Sequence, residues 1–168
     1  MNTRFASLLV SAIGGALLMS GTALAEEKGV EWNTLKGAQV SLNKGIGAAQ
    51  QKGKPISGKF EMEDGKLQLS VYTANKGKYS EVIVDHKSGK IAKSEEIKEG
   101  EDLTHAADQA KAMAKAKISL SAAADKAVAS NKGYRALSAV PSLENDKPVA
   151  TIVLENASGT KTVTEKLD

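Results

Sequence analysis

The apolar residues of this chain recur at helical spacing in two stretches. In residues 42–49 and again in 120–128, apolar positions fall three and four residues apart, which predicts a helix with one apolar face. Ser41 is the expected N-cap of the first helix, and Ser119 or Ser121 that of the second. Gly45 and Gly47 each cost about 1 kcal/mol relative to alanine inside a helix, so the first helix must depend more on packing.

After each helical stretch the period changes to two, which predicts strands. The alternating runs lie near 60–63, 67–71 and 79–85, and then at 134–140, 149–155 and 160–166. In the first run, Phe60 and Met62 are expected to face the core, with Glu61 and Glu63 facing solvent. The predicted fold class is α+β: two tandem units, each a helix followed by a three-stranded antiparallel β-meander. A further helical stretch, 104–115, connects the two units.

Four residues are predicted to have structural roles in turns. Asp64 and Gly65 form a hairpin signal between the first two strands. Asp85 and Gly89 are expected to fix the turn after the third strand, with Gly89 in the left-handed conformation.

The first 25 residues are typical of a secretory signal peptide. Arg4 supplies the positive start, an apolar stretch follows, and a small-x-small pattern ends at Ala25, after which cleavage is expected. The apolar stretch is shorter than the roughly 20 residues that a membrane-spanning helix needs. We therefore expect a periplasmic or secreted protein with no stable membrane insertion after the signal is removed.

Composition narrows the classes of function. The 168 residues include no cysteine, which excludes disulfides, thiolate zinc sites, iron–sulfur clusters and a cysteine nucleophile. A formal net charge of +3 is too small for a dedicated nucleic-acid binder. Of the two histidines, His86 is expected on an exposed turn and His105 on a helix surface. We therefore predict no catalytic residues, no metal site, no cofactor and no enzyme activity.

Two tandem segments of the chain each resemble the PepSY domain, named for peptidase propeptides and YpeB. The resemblance is carried by a helix that starts with an apolar-Ser-Leu triplet and by a meander that ends in a Val-Asp-x-x-Ser-Gly-Lys turn. These residues are Val40-Ser41-Leu42, Asp64-Gly65-Lys66 and Tyr79 to Ile91 in the first copy, and Ile118-Ser119-Leu120 in the second. The second copy ends at Leu167-Asp168 without the closing Gly-Lys turn. The resemblance divides the chain into a first domain at 26–98 and a second at 99–168.

The resemblance implies binding rather than catalysis. The family occurs in propeptides of thermolysin-type metalloproteases, where it inhibits the enzyme and helps it fold, and in envelope proteins. The first functional hypothesis is an exported binding protein that modulates a peptidase or another envelope protein at an exposed sheet edge. The edge strand beside Tyr72 and Tyr79 is the predicted contact, although ordinary cross-strand packing also accounts for both tyrosines. The alternative is a small-ligand or envelope-stress sensor that binds between the two units. The sequence leaves the oligomeric state open.

Overall fold

The computed structural model describes residues 30–168, and the predicted signal peptide lies outside the described residues. The described residues form four helices and seven strands. The helices are α1 (Trp32–Leu35), α2 (Leu42–Ala49), α3 (Gly100–Lys115) and α4 (Leu120–Ser130). The strands are β1 (Lys54–Glu63), β2 (Lys66–Asn75), β3 (Lys78–Val84), β4 (Ile91–Ile97), β5 (Arg135–Glu144), β6 (Lys147–Asn156) and β7 (Gly159–Lys166).

The prediction of two tandem units, each a helix with a three-stranded meander, is wrong. All seven strands form one antiparallel sheet in the order β4-β3-β2-β1-β5-β6-β7. The two halves join where β1 pairs with β5, with Gly58 opposite Ala139 and Lys59 opposite Ser138. A separate meander of 55–60 residues would bury little surface and leave two more strand edges unpaired, and the shared sheet removes both problems.

Helices lie on both faces of this sheet. A Cβ added to Gly58 would be 2.9 Å from the Ile46 side chain of α2, so Gly58 points towards α2. Gly58 pairs with Val71, and alternation along β2 therefore directs the next residue, Tyr72, to the opposite face. Tyr72 interacts there with Asp102 of α3. We call the two sides the α2 face and the α3 face.

The α2 face also carries α4, and the residues between the helices and the sheet form one continuous core. Asn43 of α2 donates a hydrogen bond from Nδ2 to Oδ2 of Asp125 in α4 at 2.7 Å. The core is mainly aliphatic, and its largest fully buried side chains include Leu42, Ile46, Leu69, Leu120, Ile152 and Leu154.

The N-caps of α2 and α4 are serines at equivalent positions. The Ser41 hydroxyl accepts the N–H of Lys44, and the Ser119 hydroxyl accepts that of Ala122, both at 3.2 Å. The prediction for Ser41 is confirmed, and of the two candidates for the second helix the cap is Ser119.

The segment before each of these helices is fixed by the same backbone arrangement. The N–H groups of residues 39–40 both donate to the carbonyl oxygen of His86, at 2.9 and 3.0 Å. The N–H groups of residues 117–118 both donate to the carbonyl oxygen of Leu167, at 2.7 and 3.0 Å. Leu167 therefore holds the start of α4 although the second half lacks the Gly-Lys turn.

The side chains of β1 do not all follow the predicted alternation. Phe60 is buried, but Met62 on the same α2 face is 42% exposed near the end of the strand. Glu61 keeps only 11% of its side-chain surface exposed and pairs with Lys59, so its expected orientation towards open solvent is wrong. The α3 face of β1 is therefore a half-buried polar surface.

Candidate functional site

Asp64 and Gly65 form the two-residue turn between β1 and β2. Their φ angles are +49° and +73°, both in the left-handed region. Such a pair matches the right-handed twist of the flanking strands, and glycine and aspartate adopt it more readily than most residues do. Both residues therefore serve the hairpin.

Asp85 and Gly89 close the turn between β3 and β4. The Asp85 carboxylate accepts the N–H groups of Ser88 at 2.6 Å and Lys87 at 3.1 Å. These hydrogen bonds, led by that of Ser88, lower the pKa of Asp85 below its ordinary value. Gly89 has a φ of +75° and donates its N–H to the Asp85 carbonyl oxygen at 2.8 Å.

The two tyrosines proposed as partner contacts lie inside the sheet rather than at its edge. Tyr72, in β2, is only 3% exposed and lies beneath α3. Tyr79, in β3, is half-buried and pairs with Ile97 of β4. Because β4 covers β3, neither tyrosine belongs to an edge strand, and a partner could not reach Tyr72 in this arrangement.

Tyr72 instead belongs to a polar cluster between α3 and the sheet. Burial raises the pKa of the Tyr72 hydroxyl, and the nearby carboxylates of Asp102 and Glu81 raise it further. The hydrogen bond of Tyr72 with Asp102 acts in the same direction. The hydroxyl therefore stays protonated, and the interaction fixes the start of α3 against β2.

Glu81 is the member of this cluster with the most perturbed carboxyl group. Burial raises the pKa of Glu81, and the charges of Glu61 and Asp102 add to that effect. The Ser70 hydroxyl opposes it by donating a hydrogen bond to Glu81 Oε1 at 2.6 Å. The Lys59 ammonium lies 2.6 Å from Glu61 Oε2.

Neither histidine supplies a metal site within residues 30–168, where no group of three or more acidic or histidine side chains could hold a metal ion. His86 lies in the turn between β3 and β4, as expected, but it is half-buried rather than exposed, and its carbonyl oxygen accepts the two N–H groups described above. His105 is half-buried on α3 and lines a groove. Its expected place on a simple helix surface is therefore only partly correct.

Several cavities open on the described part of the chain. One, of about 350 Å³, lies between α3 and β5 and is named the α3–β5 groove. It is lined by His105, Asp108, Gln109, Lys111, Val140, Pro141, Ser142 and Leu143. A second, of about 330 Å³, lies where the segment between α3 and α4 meets α2. The third, between α2 and α4, measures about 90 Å³, well below the roughly 300 Å³ at which ligand pockets begin. The cavity of about 330 Å³ is lined by residues of both halves, including Ile46 and Leu120, so it is large enough for a ligand between them.

The two edge strands, β4 and β7, differ in regularity. β7 pairs with β6 without interruption from Val149 opposite Lys166 to Asn156 opposite Gly159. β4 has a register shift against β3, and its charged side chains form ion pairs, including Lys93 with Glu95 at 2.8 Å. Most side chains of β7 are exposed. β7 is therefore the more regular of the two edges.

Sequence reasoning missed three residues that shape these sites, namely Asp102, Gln109 and Arg135. Asp102 and Gln109 are 8% and 4% exposed and lie seven residues apart on the buried side of α3. Ala106 and Met113 are also buried on α3 and are also seven residues apart. This common spacing is the sequence signal that could have indicated the burial of Asp102 and Gln109. Arg135 is the only arginine in the described residues. The rarity of this residue type is a weaker indication of a structural role than the spacing on α3.

A comparison of the chain with protein families, with curated proteins and with solved structures found no match. None of the described helices is both long enough and apolar enough to cross a membrane.

Proposed function

We propose that this chain is an exported, non-catalytic binding protein of PepSY type that modulates an envelope peptidase or another exported protein. The partner contributes an extended segment that adds to β7 as an eighth strand. The observation that supports the proposal is the uninterrupted, exposed edge that β7 offers.

Strand addition needs a row of backbone N–H and C=O groups that point away from the sheet in a regular register. β7 is eight residues long and contains no proline, and half of its residues are threonine or valine, which suit extended backbone. The register shift of β4 is a device that discourages such pairing. The proposal therefore moves the binding edge from the neighbourhood of Tyr79 to the opposite end of the sheet.

The side chains of β7 suggest the chemistry of the partner segment. Thr160, Thr162 and Thr164 alternate with Lys161 and Glu165, so the edge carries hydroxyls and both signs of charge. Backbone hydrogen bonds would supply most of the affinity, and these side chains would set the register. An extended, polar segment such as a peptidase loop fits this edge better than an apolar helix does.

The experiment combines capture of a partner with mapping of its contact. The chain from Glu26 onwards is immobilised, envelope proteins are captured, and peptidases among them are assayed with and without the chain. Amide hydrogen exchange of the complex is then measured. We expect slower exchange in β7 and altered peptidase activity.

A matched pair of variants separates the two edges. Thr162→Pro removes an N–H at the centre of β7, and Ser94→Pro does the same at the centre of β4. Only Thr162→Pro should weaken capture, with circular dichroism as the check that both variants fold. The proposal would be overturned if slower amide exchange were confined to β4 or α3, or if no envelope protein were captured. The exchange measurement on the unaltered chain remains valid even if a proline variant unfolds.

A further inference from the structure

The α3–β5 groove has one polar wall and one apolar wall. Helix α3 contributes His105, Asp108 and Gln109, and β5 contributes Val140, Pro141 and Leu143. Lys115 near the end of α3 forms an ion pair with Asp146 in the β5–β6 turn, which holds the two walls together at one end. The volume of about 350 Å³ is in the range of sites for small organic groups.

The polar wall presents buried atoms that accept hydrogen bonds. Gln109 is 4% exposed, and its Oε1 has no hydrogen-bond partner among the described residues. His105 lies one helical turn earlier, and its buried Nδ1 is also without a partner there; this nitrogen accepts a hydrogen bond in the tautomer that carries the proton on Nε2. A buried acceptor that lacks a donor destabilises the protein, so a ligand that supplies a donor at this point removes that cost.

Asp102 extends this row of acceptors along the same side of α3. It is 8% exposed, and its Oδ1 has no partner among residues 30–168. A carboxylate accepts hydrogen bonds and cannot donate them when ionised. Asp102 does not line the groove, so it adds negative charge behind the polar wall rather than a contact with the ligand.

The charges around the groove favour a cation. At its rim the Asp108 carboxylate accepts from Lys111 Nζ at 2.9 Å, so these two charges largely offset each other. The Asp102 carboxylate lies deeper and is close to Tyr72 and Glu81. An anion would meet oxygen acceptors, whereas an ammonium group has three N–H donors and a guanidinium has five.

The apolar wall defines the remainder of the ligand. Leu143 is 36% exposed, Val140 is half-buried and Pro141 is buried, so together they can cover a short hydrocarbon stem. Burial of such a stem removes apolar surface from water and so adds to the affinity.

We propose that the α3–β5 groove binds an organic cation: an ammonium or guanidinium group on a short apolar stem. The cationic group is hydrogen-bonded by Gln109 and His105, and the stem lies on the β5 wall. The same chemistry occurs in free amines and in the lysine and arginine side chains of a polypeptide. This site is separate from the β7 edge, so its occupancy does not depend on strand addition.

The test uses the chain from Glu26 onwards and four probes of equal stem length: butylammonium, butylguanidinium, butanoate and butanol. Binding is followed by NMR shifts of the backbone amides. We expect both cations to shift the amides of 105–111 and 140–143 in a saturable manner, with butanoate and butanol at least tenfold weaker. Equal binding of butanoate, or no saturable shift in the groove, would overturn the proposal.

Two glutamine variants provide the control. Gln109→Leu keeps the side-chain size and removes the buried acceptor, whereas Gln68→Leu makes the same change on the α3 face of β2, outside the groove. Cation affinity should fall at least tenfold in Gln109→Leu and stay within twofold in Gln68→Leu. Equal affinity in both variants would contradict the role of Gln109, and the probe series on the unaltered chain remains decisive if a variant fails to fold.

A peptide arm distinguishes the two sources of the cation. The peptides Ala-Ala-Lys-Ala-Ala and Ala-Ala-Arg-Ala-Ala are compared with butylammonium and butylguanidinium. At least tenfold tighter binding of a peptide supports a polypeptide side chain as the ligand, and weaker binding supports a free amine. Both results uphold a cation site, whereas failure of every cation to bind rejects it.

Discussion

The guanidinium group of Arg135 donates a hydrogen bond from Nη1 to the backbone carbonyl oxygen of Leu35 at 2.9 Å, although 100 residues separate the two. Its Nη2 also donates to the carbonyl oxygen of Val40, at 3.4 Å. Arg135 starts β5, whereas Leu35 ends α1, so one side chain connects the second half of the chain to the segment that leads into α2. Burial lowers the pKa of the Arg135 guanidinium below its ordinary value.

Arg135→Lys should destabilise the protein by about 1–3 kcal/mol, because a lysine lacks the planar fork that reaches two carbonyl oxygens at once. Urea unfolding followed by circular dichroism measures the loss. Lys132→Ala, at an exposed position close by, is the control and should change the free energy of unfolding by less than about 0.5 kcal/mol. Similar values for the two variants would show that the hydrogen bonds of Arg135 contribute little.

The two glycines of α2 should respond in opposite directions to alanine. A Cβ at Gly45 would overlap the side chain of Leu69, which is fully buried in β2, whereas a Cβ at Gly47 would have no atom within 4 Å. Gly47→Ala should therefore stabilise the protein by about 1 kcal/mol through helix propensity. Gly45→Ala gains the same propensity but forces the helix away from the sheet, for a net loss of about 1–2 kcal/mol.

Thermal and urea unfolding of both variants check this prediction, and each glycine is the other's control because the two lie in the same helix. Stabilisation by Gly45→Ala would mean that Leu69 adjusts freely and that the close approach of α2 to β2 is unimportant. Equal destabilisation by both would mean that α2 needs glycine for another reason.

Local signals predicted α2, α4 and most of α3, the serine cap and the turns, but not α1, the first turn of α3 or the way the two halves join. The cap at Ser41 and the left-handed Gly89 depend on neighbours within a few residues, which a sequence pattern can reveal. The β1–β5 pairing depends on Gly58 meeting Ala139, 81 positions along, and no local alternation encodes that partner. β4 escaped notice because Lys93, Ser94, Glu95 and Glu96 interrupt its apolar ends.

The candidate sites were harder to predict than the fold, for a physical reason that α3 illustrates. Asp102 and Gln109 lie on its buried side, where an apolar stripe is expected, so the pattern assigned the interior to alanine and methionine alone. Likewise, Tyr79 was expected near an edge only because β4 had not been anticipated. Which polar residues are buried depends on the packing of distant elements.

Glu81→Gln should change how stability depends on pH. Because burial raises the pKa of Glu81, the folded state binds this proton more tightly than the unfolded state does. The contribution of Glu81 to stability is therefore fully present below the ordinary pKa of glutamate and is lost as pH rises through the raised folded value. Glutamine removes the charge and can still accept from Ser70, so the variant should be more stable than the original at pH 8 and similar to it at pH 4.

Urea unfolding at these two pH values provides the measurement. Glu144→Gln, at an exposed position, is the control and should alter the free energy of unfolding by less than about 0.5 kcal/mol at either pH. A Glu81→Gln protein that is less stable than the original at pH 8 would show that the charged form of Glu81 is favourable in the cluster.

Asp85→Asn should have the opposite pH signature. The N–H groups of Ser88 and Lys87 lower the pKa of Asp85, so the folded state holds the charged form more strongly than the unfolded state does. The stability that this carboxylate contributes is present above the ordinary pKa of aspartate and is lost as pH falls through the lowered folded value. Asparagine keeps an acceptor oxygen but not the charge. Urea unfolding from pH 7 to pH 2 should therefore show that the variant is less stable than the original at neutral pH and approaches its stability in acid. A difference in the free energy of unfolding that stays constant over this range would contradict the role of the charge.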